Sequence, residues 1–419
     1  MEDYLKLQSL ISDHTNWRNQ CLNLIASENV SSPSVHNALG CDLTGRYGTF
    51  QDTTSIHSYD SYAGTQYTAQ INNFTTLLAQ RLFKAEYVDV RPLSGNIADV
   101  VTILGLTAPD DLIINTAAQD GGHTHYIQVP ESSPSLKRRW KHWIYDEREV
   151  NINVDASVKM LERVKPQLVI LGASHMLFPL PVKELVDAAK AIGARISYDA
   201  SHILGLIAGK QFQDPLREGV EIVHSSTHKT FGGPQGAIVF SNDEAIFTAV
   251  SKVIYPALQD NPHFNRILAL GIVLAEAEQF GESYAQQVIV NAKALAEALH
   301  ARGFHLLGEH KGFTQSHLCR VDFKPYVSRG AKGSEMLEKA NIIVSLSSMP
   351  GDSIQSGRTG ARVGVAEMTR LGMRQNEMEE IAEFWKMVFI DKKDPKIVAK
   401  LVSEFRKAFQ KVHYCFDLP

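Results

Sequence analysis

The chain has 419 residues, 44% hydrophobic and 21% charged, enough apolar material for a large core and too much for a disordered chain. Its net charge of -4 at pH 7 provides no basic surface, so nucleic acid is not an expected partner, and no apolar stretch is long enough for a bilayer. The four cysteines (Cys21, Cys41, Cys319, Cys415) form no CxxC pair, and the acidic start Met1-Glu2-Asp3-Tyr4 has no apolar leader. Both point to a cytoplasmic protein with reduced thiols. The 16 histidines show no metal-ligand spacing, His123 and His125 coming nearest, so no metal is expected.

In chain order, Tyr4 to Asn29 reads as a helix and arm, closing on the apolar-to-polar run Leu22 to Asn29. Ser31-Ser32-Pro33-Ser34 is a helix start. From Gly45 to Gln66 no period appears, and a loop of that length in an enzyme carries function or an interface. Gln70 to Phe83 has helical spacing. Ser94-Gly95 then precedes the apolar run Ile97 to Leu104. A serine and a glycine opening a helix can cradle a phosphate on free amides, although an ordinary N-cap has the same residues.

Strands follow at Asp111–Asn115, Gln167–Gly172 and Arg195–Asp199, with helices at about 154–164 and 182–191 between them. That alternation predicts a mostly parallel α/β sheet. The strands lead into Gly121-Gly122-His123, into Ala173-Ser174-His175, and into Asp199-Ala200-Ser201-His202. Polar residues at strand C-termini are where such sheets bind ligands. Next comes His224-Ser225-Ser226-Thr227-His228-Lys229-Thr230-Phe231-Gly232-Gly233-Pro234, between the apolar pair Ile222-Val223 and Ala237 to Phe240. A lysine on a hydroxyl-rich turn between buried strands suits an amine that condenses with a carbonyl. With an acid at the end of a neighbouring strand, it fits a pyridoxal phosphate (PLP) site. For either residue alone, a loop lysine and a capping aspartate is the other reading.

A helix at 243–253, a break at Tyr255-Pro256 and a long helical stretch from Asn265 to Arg302, with Gly271 and Gly281 as mild interruptions, lead to a smaller C-terminal part. That part reads as strands Phe304–Leu307, His317–Phe323 and Ile342–Val344, a helix at 333–340 and two final helices. The expected organisation is an N-terminal helix and arm (1–30), a large domain (31–265), a connecting helix (266–302) and a small α+β domain (303–419). Arg358 and Arg362 flank Thr359-Gly360-Ala361, where an arginine could fork onto a substrate carboxylate or form a surface ion pair.

Taken together, these motifs resemble the serine hydroxymethyltransferase family of fold type I PLP enzymes. The resemblance runs from about Leu22 to about Met373 and rests on Leu24 to Asn29, Pro92 to Asn96, Gly121-Gly122-His123, Asp199-Ala200-Ser201-His202, Thr227-His228-Lys229-Thr230 with Gly233-Pro234, and Arg362-Val363-Gly364. It implies an aspartate aminotransferase-like fold, with a mostly parallel seven-stranded sheet and a smaller α+β C-terminal domain. It implies Lys229 as the lysine that binds PLP, Asp199 as the acid on the pyridine nitrogen, and His123 stacked on the ring. Ser94, Gly95 and Asn96 would serve the phosphate, Ser174 and His202 the phenolic oxygen side, and Thr227 and His228 would flank the lysine. Ser27 and Arg362 would hold the amino-acid carboxylate. Tyr47 and Tyr62 match tyrosines contributed across a homodimer interface to a shared active site.

The implied reaction is retro-aldol or aldol chemistry at Cα–Cβ of a β-hydroxy-α-amino acid such as serine or threonine, through a glycine quinonoid, with an aldehyde as second substrate. The chain departs from the family on the folate side and in the lysine motif. Thr49 stands where the family has a glutamate, the loop to Tyr62 is longer, Gln235 replaces an arginine, and the pterin-reading asparagine falls near Ser347. Three readings follow: a folate-independent threonine aldolase or transaldolase; a tetrahydrofolate-dependent serine hydroxymethyltransferase in which Asp52 or Asp60 replaces the missing carboxylate; and a PLP-binding scaffold or regulator.

Overall fold

Two four-residue strands, Leu112–Asn115 and Leu168–Leu171, are buried at every position. Strands apolar on both faces belong in the middle of a sheet covered by helices on both sides, and the computed structural model, which describes residues 1–48, 62–123, 136–352 and 357–417, places them there. In chain order the seven strands of the large sheet are β1 (Tyr87–Asp89), β2 (Leu112–Asn115), β3 (Arg139–His142), β4 (Leu168–Leu171), β5 (Arg195–Asp199), β6 (Ile222–Ser226) and β7 (Ala237–Ser241). Their spatial order is β1-β7-β6-β5-β4-β2-β3. The pairs β3–β2, β2–β4, β4–β5 and β5–β6 are parallel, and β7 is antiparallel to both β6 and β1. The expected mostly parallel seven-stranded sheet is therefore present. β3 was not foreseen: its Arg-Trp-Lys-His sequence is half solvated, as suits an edge strand.

The chain divides into two compact units, one of residues 29–286 with 414–419 and one of residues 1–28 with 287–413. The 38-residue helix Phe264–Ala301 contributes to both. It runs unbroken through Gly271 and Gly281. Gly271 serves packing: a Cβ there would stand 2.6 Å from Thr75 Oγ1 on the helix Gln66–Phe83. That helix starts four residues before the expected Gln70, after Thr65.

The smaller unit holds an antiparallel four-stranded sheet in the order His305–Leu306, Leu318–Asp322, Gly360–Gly364, Ser345–Ser347. The helix Gln375–Phe389 supplies Trp385 and Phe389 to an aromatic cluster with Phe304 and Phe323. Two further differences from the sequence reading lie here. Leu22–Asn23 is a short strand, and it pairs in parallel with Ile342–Ile343 as a separate ladder. The side chain of Asn23 donates to Glu367 Oε1 at 2.7 Å, which ties that ladder to the short helix Ala366–Arg370. Among the described residues no helix is long and apolar enough to cross a membrane.

Candidate active site

Because β2, β4, β5 and β6 run parallel, their C-terminal ends share one edge of the sheet, the edge at which open α/β sheets receive ligands. β5 ends at Asp199, whose Oδ1 accepts from Ser201 N at 2.9 Å and whose register partner on β6 is His224. β6 leads into the lysine turn, which its hydroxyls hold in shape. Thr227 Oγ1 donates to Pro234 O at 2.7 Å, and Thr227 N donates to Gly236 O at 3.1 Å. Thr230 Oγ1 donates to His202 O at 2.9 Å and accepts from Gly205 N at 3.1 Å. Between these anchors Lys229 is half-buried. Its carbonyl accepts from Gly232 N at 3.0 Å and from Asn29 Nδ2 at 2.9 Å, and Asn29 Nδ2 also reaches Tyr284 Oη at 2.9 Å. The lysine backbone is thus fixed from within the turn and from outside it.

Ser94 caps the helix Gly95–Leu106, its Oγ accepting from Ile97 N at 3.2 Å. The first-turn amides of Gly95 and Asn96 have no acceptor within the helix, and they lie at the positive end of its dipole. Gly95 sits against the last residue of β6: a Cβ on it would be 3.1 Å from Ser226 Cβ. An anion held by these amides would therefore lie beside the strand that leads to the lysine.

One turn into that helix, Asp99 interrupts an otherwise apolar run. It is 3% exposed and receives both histidines that face it: His224 Nε2 lies 3.0 Å from Oδ1 and His123 Nδ1 3.2 Å from Oδ2. His224 Nδ1 in turn lies 3.0 Å from Ser197 Oγ. Burial alone would raise the Asp99 carboxyl, yet the hydrogen bonds from His123 and His224 hold it well below the usual carboxylate range. The Asp99 hydrogen bond lifts His123 above the ordinary imidazole value, with Asp199 adding to the lift and Lys229 opposing it. For the fully buried His224, desolvation acts against the charged form and the Asp99 carboxylate outweighs it, so its value also rises. One ligand atom each from Asp99, Asp199 and His224 lie within 4.8 Å of one another. Behind the expected acid, then, is a buried carboxylate–imidazole pair that fixes its electrostatic surroundings.

Of the other expected residues, Ser174 follows β4 and its N donates to Gly121 O at 2.6 Å, which joins it to the segment carrying His123. His202 is buried and is bonded to Thr230 through its carbonyl. Among the described residues the covered Nδ1 of His228 has no hydrogen-bond partner, and burial, with Lys229 adjacent, pushes this histidine down to about 4. An orphaned buried imidazole atom next to the lysine fits a site built around a polar group. Tyr47 and Tyr62 are exposed and form their own pair, ring centroids 4.9 Å apart, with Tyr47 Oη donating to the Asp260 carboxylate. That carboxylate pushes the Tyr47 phenol up to about 12.

Ser27 and Arg362 belong to the smaller unit, which brings their segments together: Gly364 N donates to Leu24 O at 2.8 Å, and a Cβ on Gly364 would stand 2.4 Å from Ala26 Cα. Arg362 Nε donates to Ser345 Oγ at 3.3 Å. Burial, then Arg320 and Arg358, push its guanidinium down to about 10. Thr49, Asp52, Asp60 and His125 lie outside the described residues.

Asp99, His224 and Asn29 were not assigned roles from the sequence. The one available signal was a lone charge, Asp99, inside an apolar helical run. Its partners lie 24 and 125 positions away, so only the folded chain pairs them.

A seven-stranded sheet in this order, with a lysine turn after one strand and an acid ending its neighbour, defines the large domain of a fold type I PLP-dependent enzyme. A family model described as serine hydroxymethyltransferase matches residues 2–385. The chain is 42% identical to the serine hydroxymethyltransferase of Korarchaeum cryptofilum, with 100% of this chain and 98% of the relative covered. It is 41% identical to that of Pyrococcus abyssi, with 98% and 96% covered. Among solved structures it is similar to the L-threonine transaldolase from Pseudomonas fluorescens in its internal aldimine state, with a TM-score of 0.89, 28% identity, and coverage of 99% of this chain and 94% of that one. The chain belongs to the serine hydroxymethyltransferase family. It is a PLP-dependent enzyme, which leaves no place for the reading as a non-catalytic scaffold.

Proposed function

We propose that this enzyme breaks and forms the Cα–Cβ bond of β-hydroxy-α-amino acids without requiring tetrahydrofolate, as a threonine aldolase or transaldolase does. The observation that carries this reading is Thr49, which stands where the family has a glutamate; no glutamate occurs between Arg46 and Thr68. The structural likeness to a threonine transaldolase supports it.

When bound, PLP supplies an electron sink for the pair released as Cα–Cβ breaks. The residues of the chain divide the remaining work. Lys229 is the amine that would hold the cofactor through its carbonyl when no substrate is bound. Asp199 holds a proton on the pyridine nitrogen, and the buried Asp99–His224 pair keeps Asp199 in a fixed field. His123, kept in place by Asp99, covers one ring face. Ser94, Gly95 and Asn96 take the phosphate on the helix N-terminus. Thr227 and His228 border the lysine, and Ser174 and His202 serve the phenolic oxygen. Ser27 and Arg362 take the substrate carboxylate, for which a planar guanidinium has the matching geometry. Tyr47 and Tyr62, exposed in one subunit, complete the site of a second copy in a homodimer.

Serine, threonine, allo-threonine and α-methylserine, each with and without tetrahydrofolate and with an added aldehyde, test the proposal. The expected result is aldehyde release or exchange from a threonine-type substrate without folate. Serine-to-glycine turnover that depends strictly on folate would overturn it. That outcome would favour the second reading, which the names of the archaeal relatives support: a tetrahydrofolate-dependent serine hydroxymethyltransferase with a remodelled folate pocket. Folate titration separates the two, because the second reading requires saturable binding.

A further inference from the structure

Arg266 is 5% exposed, on the helix Phe264–Ala301. Its Nη2 donates to Val90 O, and its Nε and Nη1 have no partner among the described residues. Asp89, the carboxylate whose charge acts on Arg266, is already engaged: Arg91 takes it through Nε at 3.0 Å and Nη2 at 2.6 Å, and Ser251 Oγ donates to it at 2.8 Å. One buried carboxylate therefore stands with two guanidiniums, Arg91 partly buried and Arg266 buried, and one positive charge is left over. Burial pushes Arg266 down to about 10, with Asp89 opposing only in part, so the group remains charged at neutral pH. An uncompensated buried charge is costly, and a site that keeps one is completed by an anion.

The surroundings of Arg266 identify the anion. Val90, Arg91 and Pro92 lead directly to Ser94-Gly95, and all three of their carbonyls are held: by Arg266 Nη2, by Gln259 Nε2 at 3.0 Å and by Ala237 N at 2.9 Å. On its other side Arg266 lies across Gly236, where the lysine turn ends. Gly236 has φ +154°, and a Cβ there would stand 2.5 Å from Arg266 Nη1, so only glycine leaves the guanidinium its place. One buried cation thus touches both segments that the proposed function assigns to the cofactor, the run to Ser94-Gly95 and the turn of Lys229.

We propose that Arg266 is a positioning residue of the cofactor site, whose buried charge complements the phosphate ester held at Ser94-Gly95 and whose guanidinium clamps the two cofactor-bearing segments together. This rests on the reading of Ser94 and Gly95 as the phosphate cradle.

Apoenzyme titrated with PLP and with pyridoxal, which has the same ring and carbonyl but no phosphate, gives the test through the absorbance of the bound carbonyl. Arg266→Gln is expected to weaken PLP by about ten-fold or more, equivalent to about 1.4 kcal/mol, and to leave pyridoxal within about two-fold, while Arg266→Lys keeps most of the PLP affinity because it keeps the charge. Equal losses for both ligands, or no loss for PLP, would overturn the proposal. Inorganic phosphate adds a readout independent of the carbonyl: it should raise the Tm of the wild-type apoenzyme and raise that of Arg266→Lys nearly as much. If Arg266→Gln does not fold, a Tm unmoved by phosphate in the wild type sinks the proposal. Ser94→Ala separates the two layers of inference. If it leaves PLP affinity unchanged, the phosphate cradle itself is wrong; if it weakens PLP while Arg266→Gln does not, only the role of Arg266 fails.

Discussion

Asp99 is buried at the site and faces two histidines, His224 Nε2 at 3.0 Å and His123 Nδ1 at 3.2 Å. Its carboxyl lies below its ordinary 3.8 in the folded state, so its contribution to stability is present above that pH and is lost as pH falls. His123 and His224 lie above their ordinary 6.5, so theirs is present below 6.5 and is lost as pH rises through their raised values. The stability supplied by this trio should therefore peak between these limits. Asp99→Asn leaves two imidazoles facing a neutral amide and should cost about 3 kcal/mol near pH 5.5, as measured by urea denaturation, and should flatten the pH profile on both sides. A profile that keeps its wild-type shape would show that the trio is not the source of the dependence.

At the scale of elements, the smaller unit is held by an aromatic cluster and by one buried carboxyl. Trp385 is fully buried against Phe304, Phe323 and Phe389, and Trp385→Ala should destabilise by about 3–5 kcal/mol. A loss under about 1 kcal/mol would mean that the helix Gln375–Phe389 does not depend on this packing. Glu367 is pushed by burial up to about 7, with the hydrogen bond from Asn23 acting in the opposite direction. Its folded value exceeds the ordinary 4.5, so the stability it contributes is complete below pH 4.5 and is lost as pH rises through about 7. Denaturation of the wild type and of Glu367→Gln at pH 5 and pH 8 should show a larger fall in the first than in the second, the fall that remains in the second coming from His123 and His224. Equal falls would assign the dependence to another group.

At the scale of the whole molecule, the prediction concerns two copies. Tyr47 and Tyr62 are 43% and 45% exposed, so the large unit does not bury them. If each subunit lends them to its partner, inactive Lys229→Ala and impaired Tyr62→Phe subunits should complement each other. After subunit exchange, one site in each hybrid dimer regains both wild-type residues, restoring activity to about a quarter of the wild-type value, since half the dimers are hybrid. Proven exchange without recovery would remove the shared-site reading.

The strand–helix alternation, the polar strand ends, the lysine turn and the acid of Asp199 were legible in the sequence, because each is a local pattern set by burial period or turn chemistry. The edge strand Arg139–His142 was not, since its charged residues carry no apolar period. The ladder of Leu22–Asn23 with Ile342–Ile343 and the Asp99 histidine pair join segments far apart in the chain, and no local pattern encodes such a partner. Arg266 is the sharpest instance. In the sequence it is one more cation in a helix; burial and the engagement of Asp89 by Arg91 make it a charge in need of an anion. What the chain determined by itself is which groups it carries and on which elements. Which of them are desolvated together was decided only by the tertiary structure, because burial and charge compensation are properties of packed neighbours.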